Sequence, residues 1–338
     1  MNNMIEKMKS IFSHQTKVFK LFENTISKNR LHHTYLFEGD FKTNALECSL
    51  LISGLIYSNY LNIPFDLSSE VVGQIYNKKH PNIYIIEAIN GIVKKEQIQE
   101  LMHEFSLTPL QKGPRIYIIN GIDKCNLASS NTLLKFLEET TDNCYGILIC
   151  DNAKSVIETI RSRAILVRLN KSNSLDIYNQ LVSVGYRKDI CYFASILSSD
   201  VIDSKNLIAN SKLIALTDGV KKVFDDLYFS QSAFVDFTTL VSPILKESSE
   251  EYDYYDMFFE IIIELNRMLL KMSNTNITST IYSDSFKDII KCFSKTDIYV
   301  KCVNKIDVLL QYKERLKYNV NIDLQFASMF SLLGENNE

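Results

Sequence analysis

The chain has 338 residues, more than one compact core usually holds, so two or three domains are expected. Its 46% apolar and 23% charged residues, with only 10 Gly and 5 Pro, exclude a largely disordered chain. A net charge of −3 excludes a globally basic nucleic-acid binder and leaves any such contact to a local surface or to partners.

In chain order, Ile11 to Asn29 predicts one helix, with Ile11, Val18, Leu21, Phe22 and Ile26 roughly on one face. Leu31 to Gly39 is an apolar burst stopped by glycine, the pattern of a buried strand ending in a turn. A helix is expected from about Asn44 to Asn59, and His80-Pro81-Asn82 punctuates the chain before a strand at Ile83 to Ile86. Ile98, Leu101, Met102 and Phe105 then mark one helical face. A strand at Ile116 to Ile119 precedes a helix centred on Asn131 to Glu139, a strand at Ile147 to Ile149, and a last strand at Ile165 to Val167.

Five short β-branched or aromatic runs separated mostly by helical patterns imply parallel strands with crossover helices. The fold class is therefore α/β: a five-stranded parallel sheet with helices on both faces. From Asn170 the strand signals stop, and Asn170 to Ser174 supplies a linker and a helix N-cap. Polar interruptions at Ser198 to Ser204 and Ser273 to Thr280 divide the helical remainder. The expected domains are an α/β domain over 1–169, a small helical one over 170–205 and a larger helical one over 206–338.

The seven cysteines are scattered, without a Cys-x-x-Cys, which supports neither a disulfide framework nor a zinc ribbon and suits a reducing cytoplasm. Met1 to Ser10 has no uninterrupted apolar core, so no signal peptide is expected, and the greasiest windows, Leu50 to Ile63 and Met257 to Met272, are too interrupted for a membrane span. His32, His33, His80 and His103 are not at metal-ligand spacing from carboxylates or thiols, so no metal is expected. The acidic stretch Glu247 to Asp256 reads as a solvated loop. The following helix, with Glu260, Glu264 and Arg267 among apolar residues, fits packing against either another helix or another subunit.

After the first strand, a nucleotide-binding α/β protein would carry a phosphate loop, with glycines for the backbone cradle, a lysine for the β/γ charge and a Ser/Thr for magnesium. Here the segment is Glu38-Gly39-Asp40-Phe41-Lys42-Thr43-Asn44-Ala45. Gly39 is its one glycine, an acidic residue follows, and Lys42-Thr43 comes too soon, so the loop reads as degenerate and no cofactor is expected. The third strand would end in Asp-Glu in a hydrolase. It ends in Asn120-Gly121, with Asp123 beyond the turn, a second lesion. Ser162-Arg163 is either a solvated surface pair or an arginine finger, a guanidinium that stabilises charge on a nucleotide held by a neighbouring subunit.

Taken together, His33 to Gly39, His80-Pro81-Asn82, Thr108-Pro109-Leu110, Asn131-Thr132-Leu133-Leu134-Lys135-Phe136-Leu137-Glu138-Glu139 and Thr159-Ile160-Arg161-Ser162-Arg163 resemble the delta-prime family of bacterial DNA polymerase III clamp-loader subunits. The resemblance covers about residues 30–168. It implies a AAA+ domain, a helical lid and a helical collar that joins subunits in a ring. It also implies a stationary, usually non-hydrolysing role beside ATP-binding gamma/tau subunits and delta, with the sliding clamp and primed DNA as indirect partners. Ser162-Arg163 fall on that family's serine-arginine-cysteine motif, which reaches a neighbour's ATP. Ala164 replaces the cysteine, and no cysteines stand between Leu55 and His80 where many relatives bind zinc. Two other readings compete: an active ATPase motor of the gamma/tau type in which Lys42 and Thr43 still serve, and a DNA-binding adaptor using Lys94, Lys95, Lys112 and Arg115.

Overall fold

The computed structural model describes residues 2–39, 43–89, 91–109, 111–138, 143–229, 232–249, 253–274, 283–316 and 321–335. The chain forms two compact units, Met1–Asn173 and Ser174–Glu338. The first opens with α1 (Asn2–His14) and α2 (Thr16–Ser27), where the sequence predicts one helix. The break falls at Gln15, whose φ and ψ of −99° and 24° leave helical values while its side chain is drawn into the unit.

There follow β1 (Thr34–Glu38), α3 (Ala45–Tyr60), α4 (Glu70–Tyr76), β2 (Ile83–Glu87), α5 (Lys95–Ser106) and β3 (Arg115–Asn120). The unit continues with α6 (Leu127–Glu138), β4 (Cys144–Cys150), the single-turn α7 (Glu158–Arg161) and β5 (Ile165–Arg168). The short helix α4 was not anticipated; Ser69 caps it by accepting the Val72 N–H at 3.3 Å.

All strands are parallel, in the order β2-β3-β4-β1-β5, so the five-stranded α/β sheet read from the sequence is what the chain builds. Successive strand residues face opposite layers. Tyr35, Phe37, Ile116, Ile118, Ile147 and Ile149 pack with residues of α1 to α4, and Leu36, Tyr117, Ile119, Leu148 and Cys150 with those of α5 and α6. Because both faces are buried at β1, β3 and β4, those strands read as continuous apolar runs, while the edge strand β5 leaves Ile165 and Leu166 exposed.

The tightest approach in the sheet is Tyr117 of β3 over its register partner Gly146 of β4, where a β-carbon would overlap the phenol ring. Tyr117 has no room to yield, since the Phe105 and Phe136 rings lie edge-on to it at 5.7 and 5.0 Å. Gly146→Ala is therefore expected to cost about 1–3 kcal/mol as overpacking, read as a lower urea midpoint. An unchanged midpoint would show that the ring can move after all.

The second unit is helical: α8 (Ser174–Ser183), α9 (Lys188–Leu197), α10 (Val201–Ala209), α11 (Ser211–Phe229), α12 (Ala233–Asp236), a π turn at Phe237–Val241, and α13 (Ser242–Leu245). It ends with α14 (Tyr254–Asn274), α15 (Ser283–Cys292), α16 (Lys295–Arg315) and α17 (Ile322–Glu335). Ile177, Leu181, Ile190, Cys191, Ala194, Leu207 and Ile208 give α8, α9 and α10 a common core, and α10 runs unbroken through position 205. A larger core forms around Phe224, Phe258, Phe259, Ile262 and Phe326.

The partner of α14, left open by the sequence, is within the chain: Glu260 accepts from Lys313 Nζ of α16 at 2.5 Å, and Glu264 from Tyr192 of α9 at 2.7 Å. Lys305 of α16 is fully buried, donates to the Leu333 carbonyl at 3.2 Å and so closes the end of α17. Burial, with Lys301 adding to it, pulls its ammonium down to about 8.

Candidate functional site

At the carboxyl end of β1, the Gly39 N–H donates to the Cys150 carbonyl at 2.9 Å, which binds the strand end to β4. Lys42 lies outside the described residues. Thr43 is 2% exposed, and its side chain packs on Gly39, where a β-carbon would collide with Thr43 Oγ1.

Gln15 locks this arrangement. Its Nε2 donates to the carbonyls of Thr43 at 3.1 Å and Asn170 at 2.8 Å, and its Oε1 accepts the Asn170 N–H at 3.0 Å. The buried amide thereby ties the α1–α2 corner, the loop before α3 and the exit of β5 with both donors used. Nothing in the sequence marks Gln15, because its partners lie 28 and 155 residues away.

The same sheet edge carries carboxylates. Glu38 accepts from the Ala153 N–H and from Arg168 Nε, both at 2.8 Å, and these hold its carboxyl below the usual range. Asp123 sits beyond the Asn120-Gly121 turn; burial, with the Asp151 charge adding, pushes its carboxyl up, and its Oδ1 is buried without a hydrogen bond. Asp123, Glu38 and Asp151 all act on the Cys150 thiol, which burial first and their charges next push up to about 12.

Ser162 and Arg163 lie on a different part of the unit. Ile160, 1% exposed, pins α7 to the core, and Ser162 terminates the helix with its N–H donating to the Glu158 carbonyl at 2.8 Å. The chain thus emerges with both side chains exposed. Ser162 Oγ donates to the Thr159 carbonyl at 3.2 Å. Arg163 donates through NH1 to that carbonyl at 3.0 Å and through NH2 to Glu138 Oε1 at 2.7 Å. The arginine is paired with the last residue of α6, a contact that sequence reading missed.

Other candidates have local roles. Arg115 donates to the carbonyls of Glu104, Phe105 and Leu107 at 2.6, 3.0 and 2.9 Å and stacks on the Phe105 ring, so it caps α5. His80 is buried against Tyr57, its Nδ1 accepts the Asn82 N–H at 3.2 Å, and burial pulls its pKa down, which keeps it neutral. His32 and His33 each reach a backbone carbonyl. Among the described residues, no group of three or more His, Cys, Asp or Glu could hold a metal, and no helix is long and apolar enough to cross a membrane.

Residues 14–173 match the family model described as DNA polymerase III, delta subunit. The chain is 27% identical to DNA polymerase III subunit delta' of Bacillus subtilis over 95% of its own length and 96% of that protein. It is 22% identical to DNA polymerase III subunit gamma of Buchnera aphidicola subsp. Baizongia pistaciae over 94% and 92% of the two chains. The crystal structure of a DNA polymerase III gamma subunit-related protein from Thermotoga maritima shares its fold, with a TM-score of 0.50 at 16% identity over 94% of this chain and 99% of that one.

Proposed function

We propose a function on the premise that this chain belongs to the delta-prime family of bacterial DNA polymerase III clamp-loader subunits, proteins of DNA replication. In this reading it is a cytoplasmic, non-hydrolysing member of the clamp loader. It assembles with gamma/tau and delta subunits, binds no nucleotide or metal of its own, and completes a neighbour's ATP site through Ser162 and Arg163. Its partners downstream are the sliding clamp and primed DNA. In the second unit, α8 to α10 serve as the lid and α11 to α17 as the collar that joins the ring. The lid expected over 170–205 then extends to Ala209, because α10 is continuous and packs with α8 and α9.

The observation that carries the reading is the filled strand end. Thr43 packs on Gly39 and its carbonyl accepts from the buried Gln15 amide, so a nucleotide seated against this strand end would have to displace a buried hydrogen bond. A chain without its own site can still contribute a guanidinium to another.

Calorimetric titration of the isolated chain with Mg-ATP is expected to give no binding heat up to millimolar nucleotide. Stoichiometric binding at micromolar concentration would instead establish the motor reading, in which Lys42 and Thr43 serve their own site.

A further inference from the structure

Two stretches that read as separate signals in the sequence meet in the fold. The helix Asn131 to Glu139 and the pair Ser162-Arg163 are joined by the contact of Glu138 with Arg163, residues 25 positions apart. Glu138 is the last residue of α6, where aligned peptide dipoles concentrate partial negative charge. A carboxylate at that end is disfavoured by its own helix, and breaches of local rules collect at functional sites.

The geometry shows what offsets it. Arg163 NH2 lies 2.7 Å from Glu138 Oε1, while NH1 donates to the Thr159 carbonyl at 3.0 Å, so the guanidinium is gripped at two nitrogens. Both side chains remain open to solvent, Arg163 at 41% and Glu138 at 56% exposure. An exposed pair of this kind is weak and salt-screened, and its carboxylate can be exchanged for another anion at little cost.

Resting on the reading of Arg163 as a contributor to a neighbour's ATP site, we propose that Glu138 is a positioning residue that holds Arg163 in reserve and competes with the nucleotide's terminal phosphate for it. Without nucleotide next door, the carboxylate neutralises the guanidinium and keeps it at the surface by α7. A triphosphate carries more charge and more acceptor oxygens, so it takes over the hydrogen bond that Glu138 releases. No covalent bond changes; one charge-assisted hydrogen bond is traded for another. Glu138 thereby sets how much nucleotide the neighbour must hold before the arginine commits to it.

The test uses the reconstituted clamp loader with Glu138→Gln, Glu138→Asp, Arg163→Ala and the double variant Glu138→Gln/Arg163→Ala, each checked for assembly. Removing the competing charge is expected to lower the KM for ATP about two- to fivefold with a smaller change in kcat, the size an exposed ion pair allows. Glu138→Asp, which keeps the charge, is expected to stay near the wild-type KM. In the Arg163→Ala background the Gln substitution is expected to have no effect on KM. If Arg163→Ala slows hydrolysis while Glu138→Gln leaves KM unchanged, or only lowers thermal stability, the proposal fails and the reading of Arg163 stands. If Arg163→Ala changes neither kcat nor KM in an assembled complex, both fail together.

Discussion

Replacing Arg163 by alanine in a reconstituted complex is expected to slow its DNA- and clamp-stimulated ATP hydrolysis by about an order of magnitude or more. A guanidinium supplied in trans is worth roughly 10³-fold or more in related phosphoryl transfers, because it stabilises charge that appears only in the transition state. A ring with several sites shows a drop of this size only if the sites turn over in concert, since independent sites would lose one share. The loss cannot be ascribed to unfolding. Arg163 and Glu138 form an exposed pair, and its removal is expected to cost less than about 1 kcal/mol. Arg163→Lys keeps the charge without the forked geometry and should recover only part of the rate. An unchanged rate in an intact complex would leave the chain as a structural spacer, and a failure to assemble would point to an interface role for Arg163.

The second large effect is expected on stability, at the cluster that joins α9 to α11. Asp189 accepts from Arg187 Nε and NH2 at 2.8 and 2.7 Å, from Lys221 Nζ at 2.5 Å and from the Ile190 N–H at 2.9 Å. Asp218 takes the other side of the same guanidinium. Burial by itself would raise the Asp189 carboxyl, but the bonds from Arg187 and Lys221 outweigh it and hold the group well below the usual range. Its side chain is 11% exposed while that of Arg187 is 50% exposed, so the interaction is partly screened. Asp189→Asn is therefore expected to cost about 1–3 kcal/mol near neutral pH.

The sign with pH follows from the depressed carboxyl. In the unfolded chain an aspartate titrates near about 3.9, so the stabilisation is complete above that value and is lost as pH falls from there toward the lower folded value. The gap in urea midpoint between wild type and Asp189→Asn should be full at neutral pH and shrink on acidification below about pH 4. A gap that is constant across that range would mean that the substitution acts through packing and not through the charge.

Much of this was readable before the fold was known, and the reasons are local. Strands β1, β3 and β4 announce themselves because the sheet is buried on both faces there, which makes each a continuous run such as Ile116 to Ile119. The proposal of an impaired nucleotide site rests on missing residue types, a single glycine at Gly39 and Asn120-Gly121 where a hydrolase would carry an acidic pair. Ser162 and Arg163 stand out because a charge at the mouth of an apolar strand is costly to bury unpaired.

The chain's own sequence thus determined the α/β class and the change to helices after Asn170, both of which depend on residue type and short-range period. Only the tertiary structure decided that Gln15 braces the loop before α3, that Arg115 caps α5 instead of facing phosphate, and that Glu138 holds Arg163. Each of those is a hydrogen bond between residues separated by at least 8 positions, whose partner is fixed by how the layers close. Periodicity and composition carry no record of which polar group will be left facing which.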